Sequence, residues 1–349
     1  MLGSVLALLL VLAIDFACGF IYQRKPPVFA EKSVSGRPVS LPDGNLGFHL
    51  VPNASELVNR TAGAQTIYSV TYTTDACGRR VVPAAAHGGQ SQFLIFFGCS
   101  FTFGAGLGDN DTLPNQVAAL APDYHVYNYA CGGYGPAQML AILESGVLPK
   151  EIQEPAGIAV YVLRPGHVAR VVGSMRTTAS WARHFPYYAI EDDGALSRRG
   201  NFDEDRRFTN WYYNLAGKSG ILNLLSLDLP LWYRESHYAL TARVLIESRD
   251  LFLKSFKDGK FYVVFYPAWD DYRLVYTRIL PYLEKAGVTV LNYNQLLEPE
   301  HDAYFLHPVY DRHPSAVAHK QVAAQLAQDL DVIPPQQSES NGSVTPDSP

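Results

Sequence analysis

The sequence predicts an α/β domain, a three-layer, doubly wound fold around a five-stranded parallel sheet. A small β-hairpin precedes it, and an apolar helix opens the chain. Three observations predict this. Five short runs (93–97, 124–129, 158–163, 261–266 and 288–292) alternate with segments of helical spacing, and that alternation means βαβ units and a parallel sheet. The first run, Phe93 to Phe97, is apolar throughout, as in a strand covered on both faces. Right-handed crossovers then place helices on both sides of the sheet.

Taken in order, Leu2 to Tyr22 is nearly all apolar with Asp15 its single charge, and about 20 such residues suffice to span a bilayer. A mid-bilayer Asp costs about 2.5–3.5 kcal/mol, which a run of Leu and Val offsets. Residues 1–22 therefore read as an uncleaved membrane anchor in preference to a signal segment. No Lys or Arg precedes the run and no clear small-residue cleavage site follows it. Cys18 follows Asp15-Phe16-Ala17, a poor lead-in for a lipoprotein site. Arg24 and Lys25 after the span favour a cytoplasmic body by the positive-inside tendency. An extracytoplasmic, periplasmic body is nevertheless expected, so orientation stays open, as does a start further upstream.

Residues 23–90 read as a linker and hairpin extension. Val28 to Leu57 is punctuated by Pro and Gly. Thr66 to Val82 holds an alternating run (Tyr68, Val70, Tyr72) and a turn at Asp75–Gly78. The main domain is expected over 91–333. Asp111 is the expected cap of a helix with Pro114 near its start, running to Leu120. Further helices are expected at Gly135–Leu143 (Met139, Leu140 and Leu143 on one face), His167–Val172, Ala239–Phe256, Asp271–Ala286 and Ser315–Leu330. The last has Val317, Val322, Leu326 and Leu330 near helical spacing. Residues 174–237 break the alternation and read as an insertion forming a lid or substrate wall. Its aromatic residues (Trp181, Phe185, Tyr187, Tyr188, Trp211, Tyr212, Tyr213, Trp232 and Tyr233) are expected to be mostly core, a minority lining a sugar-sized groove. Residues 334–349, rich in Pro, Ser and Gln, read as a disordered tail.

Composition excludes several classes. With 48% hydrophobic and 17% charged residues, a disordered or fibrous chain is ruled out. A net charge of −5 argues against a nucleic-acid partner. Four cysteines do not make a disulfide scaffold. Cys99 and Cys131 end neighbouring strands and read as small buried thiols, with pairing as the alternative. His301, His307, His313 and His319 recur every six residues, which on a helix turns successive members about 240° apart. No metal is expected from them. Gly104-Ala105-Gly106-Leu107-Gly108 lacks the Lys of a phosphate loop, and Asp109-Asn110-Asp111 lacks calcium-loop spacing. No cofactor is expected.

Ligands of doubly wound folds sit beyond the carboxyl ends of the strands. There the sequence places Gly98-Cys99-Ser100-Phe101-Thr102-Phe103-Gly104, with Ser100 positioned to project its hydroxyl and aim its own N–H at a bound oxyanion. Far downstream stands Asp311-Arg312-His313-Pro314. A serine nucleophile needs a base, and the base an orienting carboxylate. In an extended segment, residues two apart face the same way, so Asp311 is placed to hold the His313 ring from beside it.

In these blocks the chain resembles the SGNH/GDSL hydrolase superfamily. The first block stands where that family has its Gly-Asp-Ser-Leu motif. Asn128-Tyr129-Ala130-Cys131-Gly132-Gly133-Tyr134-Gly135 stands for the second and Asp311-Arg312-His313-Pro314 for the last. The resemblance covers about residues 92–330. It implies a flavodoxin-like strand order 2-1-3-4-5, Ser100 as nucleophile, His313 as base, Asp311 as its orienter, and an oxyanion hole from the N–H groups of Ser100 and Gly133. Two departures stand out. The family's third block, Gly-x-Asn-Asp, is replaced by Leu163-Arg164-Pro165-Gly166-His167; His167 is the expected replacement donor, with Arg164 or Arg170 behind it. The Asp-x-His spacing is similar to the branch that includes alginate O-acetylation proteins. The expected function is a serine esterase acting on acyl, O-acetyl above all, esters of a carbohydrate or surface substrate. An O-acyltransferase on a glycan and a non-catalytic carbohydrate-binding or assembly protein are the alternatives. The expected partners are a small-molecule or glycan ester and, through the N-terminal helix, a membrane.

Overall fold

The computed structural model describes residues 2–24, 30–85, 88–268, 273–298 and 301–334. Helix α1 (Leu2–Gln23) is long and apolar enough to cross a membrane, and nearly its whole surface is exposed. Strands β1 (Ala30–Gly36), β2 (Ser40–Asp43), β3 (Gly47–Leu50), β4 (Ser55–Ala62) and β5 (Gln65–Thr73) follow. Three of them form an antiparallel sheet of order β1-β4-β5, and β2 pairs with β3 as a hairpin. The small N-terminal hairpin is present, but its register corrects the expectation. Strand β5 turns back onto β4 through Gly63 and Ala64, with Arg60 opposite Tyr68. The Asp75–Gly78 turn exists, and beyond it the pairing is short: Arg80 bridges Thr74, and the Val81 N–H donates to the Thr73 carbonyl. The stretch read as a linker is largely strand. Its β1 is exposed along most of its length, so no apolar alternation marked it.

The core follows. Strands β6 (Gln92–Phe97), β7 (Tyr124–Asn128), β8 (Ala156–Leu163), β11 (Lys260–Phe265) and β12 (Thr289–Asn292) form one parallel sheet in the order β12-β11-β8-β6-β7. Counting core strands only, this is 2-1-3-4-5. Side chains alternate between two cores. One face carries Leu94, Phe96, Val160 and Val162 against α3 (Leu113–Ala118) and the closing helix α13 (Ala316–Asp329). The other carries Phe93, Ile95, Phe97 and Tyr161 against α4 (Pro136–Glu144), α6 (His167–Val172), α11 (Glu235–Ser255) and α12 (Arg273–Lys285). Each of those strand side chains is buried, and full burial of one large apolar side chain contributes about 1.5–3 kcal/mol.

Two local expectations are corrected. Thr112, not Asp111, caps α3, its hydroxyl accepting from the Asn115 N–H. Both residues are good caps; Thr112 is the one directly before the helix. In α13, Val317 is exposed, and the core takes Ala318, Val322, Ala323, Leu326 and Ala327. The five-residue step from Val317 to Val322 overshoots one helical turn, which puts Val317 off the buried stripe. The expected insertion contains helices α7 (Met175–Thr178), α8 (Phe202–Asp205), α9 (Arg207–Ala216) and α10 (Gly220–Leu224), and the hairpin β9 (Pro186–Ile190)–β10 (Leu196–Asn201). The tail expected over 334–349 lies outside the described residues from 335 on.

Candidate active site

Strand β6 ends at Phe97, and helix α2 (Ser100–Phe103) starts three residues later. Phe101 and Phe103 anchor α2 in the interior. Its end is set by Gly104, at φ +85°, a conformation an L side chain disfavours. Ser100 is thus the first helical residue. Its N–H is among those a helix leaves without an internal partner, and its half-buried side chain sits beyond the strand ends.

The last block arrives from the other side. Strand β13 (Phe305–His307) pairs with β14 (Asp311–Pro314) just before α13. Extended geometry puts Asp311 and His313 on one face, as the spacing predicts. His313 Nε2 stands 2.9 Å from Ser100 Oγ, and His313 Nδ1 stands 2.6 Å from Asp311 Oδ1. The same Asp311 oxygen accepts the His313 backbone N–H at 3.1 Å. Because a carboxylate only accepts, Nδ1 carries the ring proton and Nε2 is the acceptor facing Ser100. The His313 side chain is 24% exposed and that of Asp311 only 2%. Burial alone raises the Asp311 carboxyl. The hydrogen bonds and charge of His313 and the Arg60 guanidinium outweigh it and hold Asp311 below the usual carboxylate range.

Sequence reasoning missed Arg60. It reaches in from β4, its Nε 3.2 Å from Asp311 Oδ2, and its side chain is 12% exposed. Glu31 of β1 stands 3.3 Å from Arg60 Nη1 and also accepts the Tyr68 hydroxyl at 2.5 Å. Arg80, likewise from the extension, braces the loop after α2. Its Nε donates to Asp109 at 2.7 Å and its Nη2 to the Leu107 carbonyl at 2.8 Å. Asn128, at the end of β7, donates to the Thr102 carbonyl at 3.3 Å. An Arg in a strand 250 residues from its carboxylate has no spacing signal. The β4–β5 register, once known, is what brings it close.

Of the remaining expected site residues, Gly133 lies in the loop after β7 at φ +87°, packed against Phe48 and Trp181. His167 is not brought to the triad. It is fully buried and bonded at Nδ1 to the Tyr161 hydroxyl at 2.8 Å. Tyr161 belongs to the sheet face opposite Phe101, and burial there, with Arg170 and Arg164 near, drives the His167 imidazole well below its usual range. With no exposed surface it has no access to a substrate oxygen, so its expected donor role is corrected. Arg164 stacks on Phe101 at 3.4 Å, and Arg170 donates to the Tyr134 carbonyl at 2.5 Å. Cys99 and Cys131 are both buried and free. Burial pushes the Cys131 thiol up to about 12.

Sheet order, a serine after the first core strand and an Asp-x-His before the last helix are now all on one edge. This is the strand order and the placement of Ser100, Asp311 and His313 that the resemblance to the SGNH superfamily implies. No family model matches the sequence, and no curated protein matches it. Solved structures do. A lipolytic protein of the G-D-S-L family from Veillonella parvula matches at TM-score 0.41 and 12% identity, over 68% of this chain and 97% of its own. An acetyl xylan esterase from the rumen bacterium Butyrivibrio proteoclasticus matches at 0.37 and 14%, over 70% and 66%. A carbohydrate esterase matches at 0.40 and 11%, over 90% and 99%. Likenesses this distant say nothing of substrate, and none distinguishes a branch of the SGNH superfamily.

Proposed function

We propose that this chain is a serine esterase of SGNH type. Its substrates are acyl, above all O-acetyl, esters on a carbohydrate or other surface substrate, and α1 anchors it in a membrane with the body on the extracytoplasmic side. The observation that supports the chemistry is the continuous hydrogen-bonded line from Ser100 Oγ through His313 to Asp311, at 2.9 Å and 2.6 Å. Both distances lie within hydrogen-bond reach for nucleophile, base and orienter.

In this mechanism Ser100 Oγ attacks the ester carbonyl as His313 Nε2 takes its proton. Asp311 holds the ring in the tautomer that leaves Nε2 free to accept, and stabilises the imidazolium that forms. The Ser100 N–H at the start of α2 and the Gly133 N–H receive the oxyanion; one such donor is worth about 2.7–4 kcal/mol in the transition state. His313 then returns the proton to the leaving alcohol. Water, activated by the same imidazole, attacks the acyl-enzyme, frees the acid and restores Ser100. Every step uses side chains and backbone of this chain alone.

A fluorophosphonate probe with peptide mapping tests the assignment together with turnover of an acetyl ester. Labelling at Ser100, and Ser100→Ala with wild-type melting but no turnover, are the expected results. Turnover surviving in Ser100→Ala removes the nucleophile. Absence of labelling in folded wild-type protein returns the chain to the binding-protein reading. Free acetate marks hydrolysis, whereas an acetylated glycan acceptor marks transfer.

A further inference from the structure

The insertion turns its apolar residues the wrong way for a water-soluble surface. Helix α9 buries Asn210 and Tyr213 and presents Phe208, Trp211 and Leu215 outward. Positions 208, 211 and 215 form one helical stripe, and Phe208 is 78% exposed. The loop after α10 adds exposed Leu225, Leu231 and Trp232, the last at 68%. Contiguous exposed apolar surface of this kind marks an interaction site.

What covers it is indicated by α1. Among the described side chains of that helix only Asp15, Cys18 and Gly19 are partly covered, and α10 lies against this stretch. Asp15 Oδ1 accepts the Ser219 hydroxyl at 2.6 Å and the Ile221 N–H at 3.0 Å. The backbones are in contact: a methyl group on Gly220 would lie 2.1 Å from the Asp15 carbonyl oxygen and 2.2 Å from the Gly19 nitrogen. One turn further on, Tyr22 shares a cavity wall with Arg176, Asn214 and Lys218.

Depth then follows from helix geometry. Residues 2–14 make about 20 Å of helix, short of a hydrocarbon core of about 30 Å. A spanning α1 therefore needs residues 15–22 inside the bilayer as well. Asp15 lies about 12 Å below the end of α1, and α10 is bonded to it. The Ser219 hydroxyl and Ile221 N–H satisfy a carboxylate that lipid would leave bare. Arg176 and Lys218, beside Tyr22, stand at the level where cationic side chains meet headgroups.

We propose that α9, α10 and the loop to Trp232 are seated in the lipid bilayer beside α1, with Phe208, Trp211, Leu215, Leu225, Leu231 and Trp232 among the acyl chains. This rests on the anchor reading of α1 and is independent of the esterase chemistry.

The test uses the full chain reconstituted into phosphatidylcholine vesicles whose acyl chains are brominated. Flotation reports the anchor; tryptophan emission reports the insertion. The expected result is strong quenching by brominated lipid, reduced in Trp211→Phe and in Trp232→Phe and mostly lost in the double variant, while iodide in the water quenches these two residues weakly. Strong quenching by iodide overturns the proposal, because the face then stands in water. Shielding from both quenchers also overturns it and assigns the face to a second copy of the chain. A chain that does not float loses the anchor, and the proposal falls with it; a chain that floats with iodide-quenched Trp211 and Trp232 loses the proposal alone.

Discussion

His319 gives the sharpest quantitative expectation. It lies in the first turn of α13 with no exposed surface, its Nδ1 donating to the Asp111 carbonyl at 3.1 Å. It thereby ties the closing helix to the loop that precedes α3. Burial pushes its imidazole down from 6.5 to about 4, against the Asp111 and Phe101 carbonyls that favour the proton. Between those values the unfolded chain binds more protons than the folded one, so stability falls as pH falls from 6.5 to 4 and is fully present above 6.5. At 1.36 kcal/mol per pH unit, the loss between pH 7 and pH 4 is about 3 kcal/mol. His319→Asn keeps a donor near Nδ1 and removes the titration. Urea unfolding of wild type and variant at both pH values isolates the contribution, since carboxylates common to the two cancel. The wild-type advantage is expected to shrink by about 3 kcal/mol at pH 4. A difference that stays constant with pH refutes the reasoning, because the buried imidazole would then be accepting its proton without cost.

Two further substitutions probe the site. Arg60→Met keeps the aliphatic stem but leaves Asp311 Oδ2 without its cation. It is expected to lower kcat about ten- to a hundredfold, or about 1.4–2.7 kcal/mol of transition-state stabilisation, with KM little changed and partial rescue by Arg60→Lys; wild-type kcat in Arg60→Met removes Arg60 as a positioning residue. Gly133→Ala puts a methyl group 2.9 Å from Phe48 Cζ at φ +87° and is expected to cost about 1–2 kcal/mol from the left-handed backbone alone. Thermal melting and ester turnover of the variant should both fall, and an unchanged melt contradicts the crowding.

The sheet was legible because its central strands β6 and β8 are covered on both faces. Phe93 to Phe97 is buried throughout, and nothing but uninterrupted apolar residues fits there. The hydrogen-bonded line Ser100–His313–Asp311 was legible for a different reason: a serine block and an Asp-x-His block each sit at a strand end, and the topology gathers such ends. Where a residue's neighbours come from one side only, the sequence was a weaker guide. Strand β1 is mostly exposed, so it carried no alternation, and the register of β4 on β5 is held by backbone bonds that all sequences can make. His167 illustrates the same limit at one residue's resolution. It opens a helix at the correct edge, yet it sides with Tyr161, and which face a helix start turns to is settled by packing. Of the aromatic residues of the insertion expected to be mostly core, Phe185, Tyr188 and Tyr213 are buried, whereas Trp181, Trp211, Tyr212 and Trp232 are exposed: spacing marks a stripe on α9 and does not say whether the stripe goes inward.

The extension is more than a spacer between α1 and the parallel-sheet domain. Asp311 is 2% exposed, so water cannot neutralise the oxygen that His313 leaves unused, and a buried carboxylate with one oxygen bare would drift toward its protonated form. A protonated Asp311 would no longer favour the imidazolium that the transition state requires. Arg60 supplies the missing charge from β4, Glu31 of β1 stands beside Arg60, and Arg80 holds the loop behind Ser100. Strands β1 and β4 and the chain after β5 are therefore coupled to the charge state of Asp311. Any truncation that removes them to simplify the protein should cost turnover before it costs the fold of the parallel sheet.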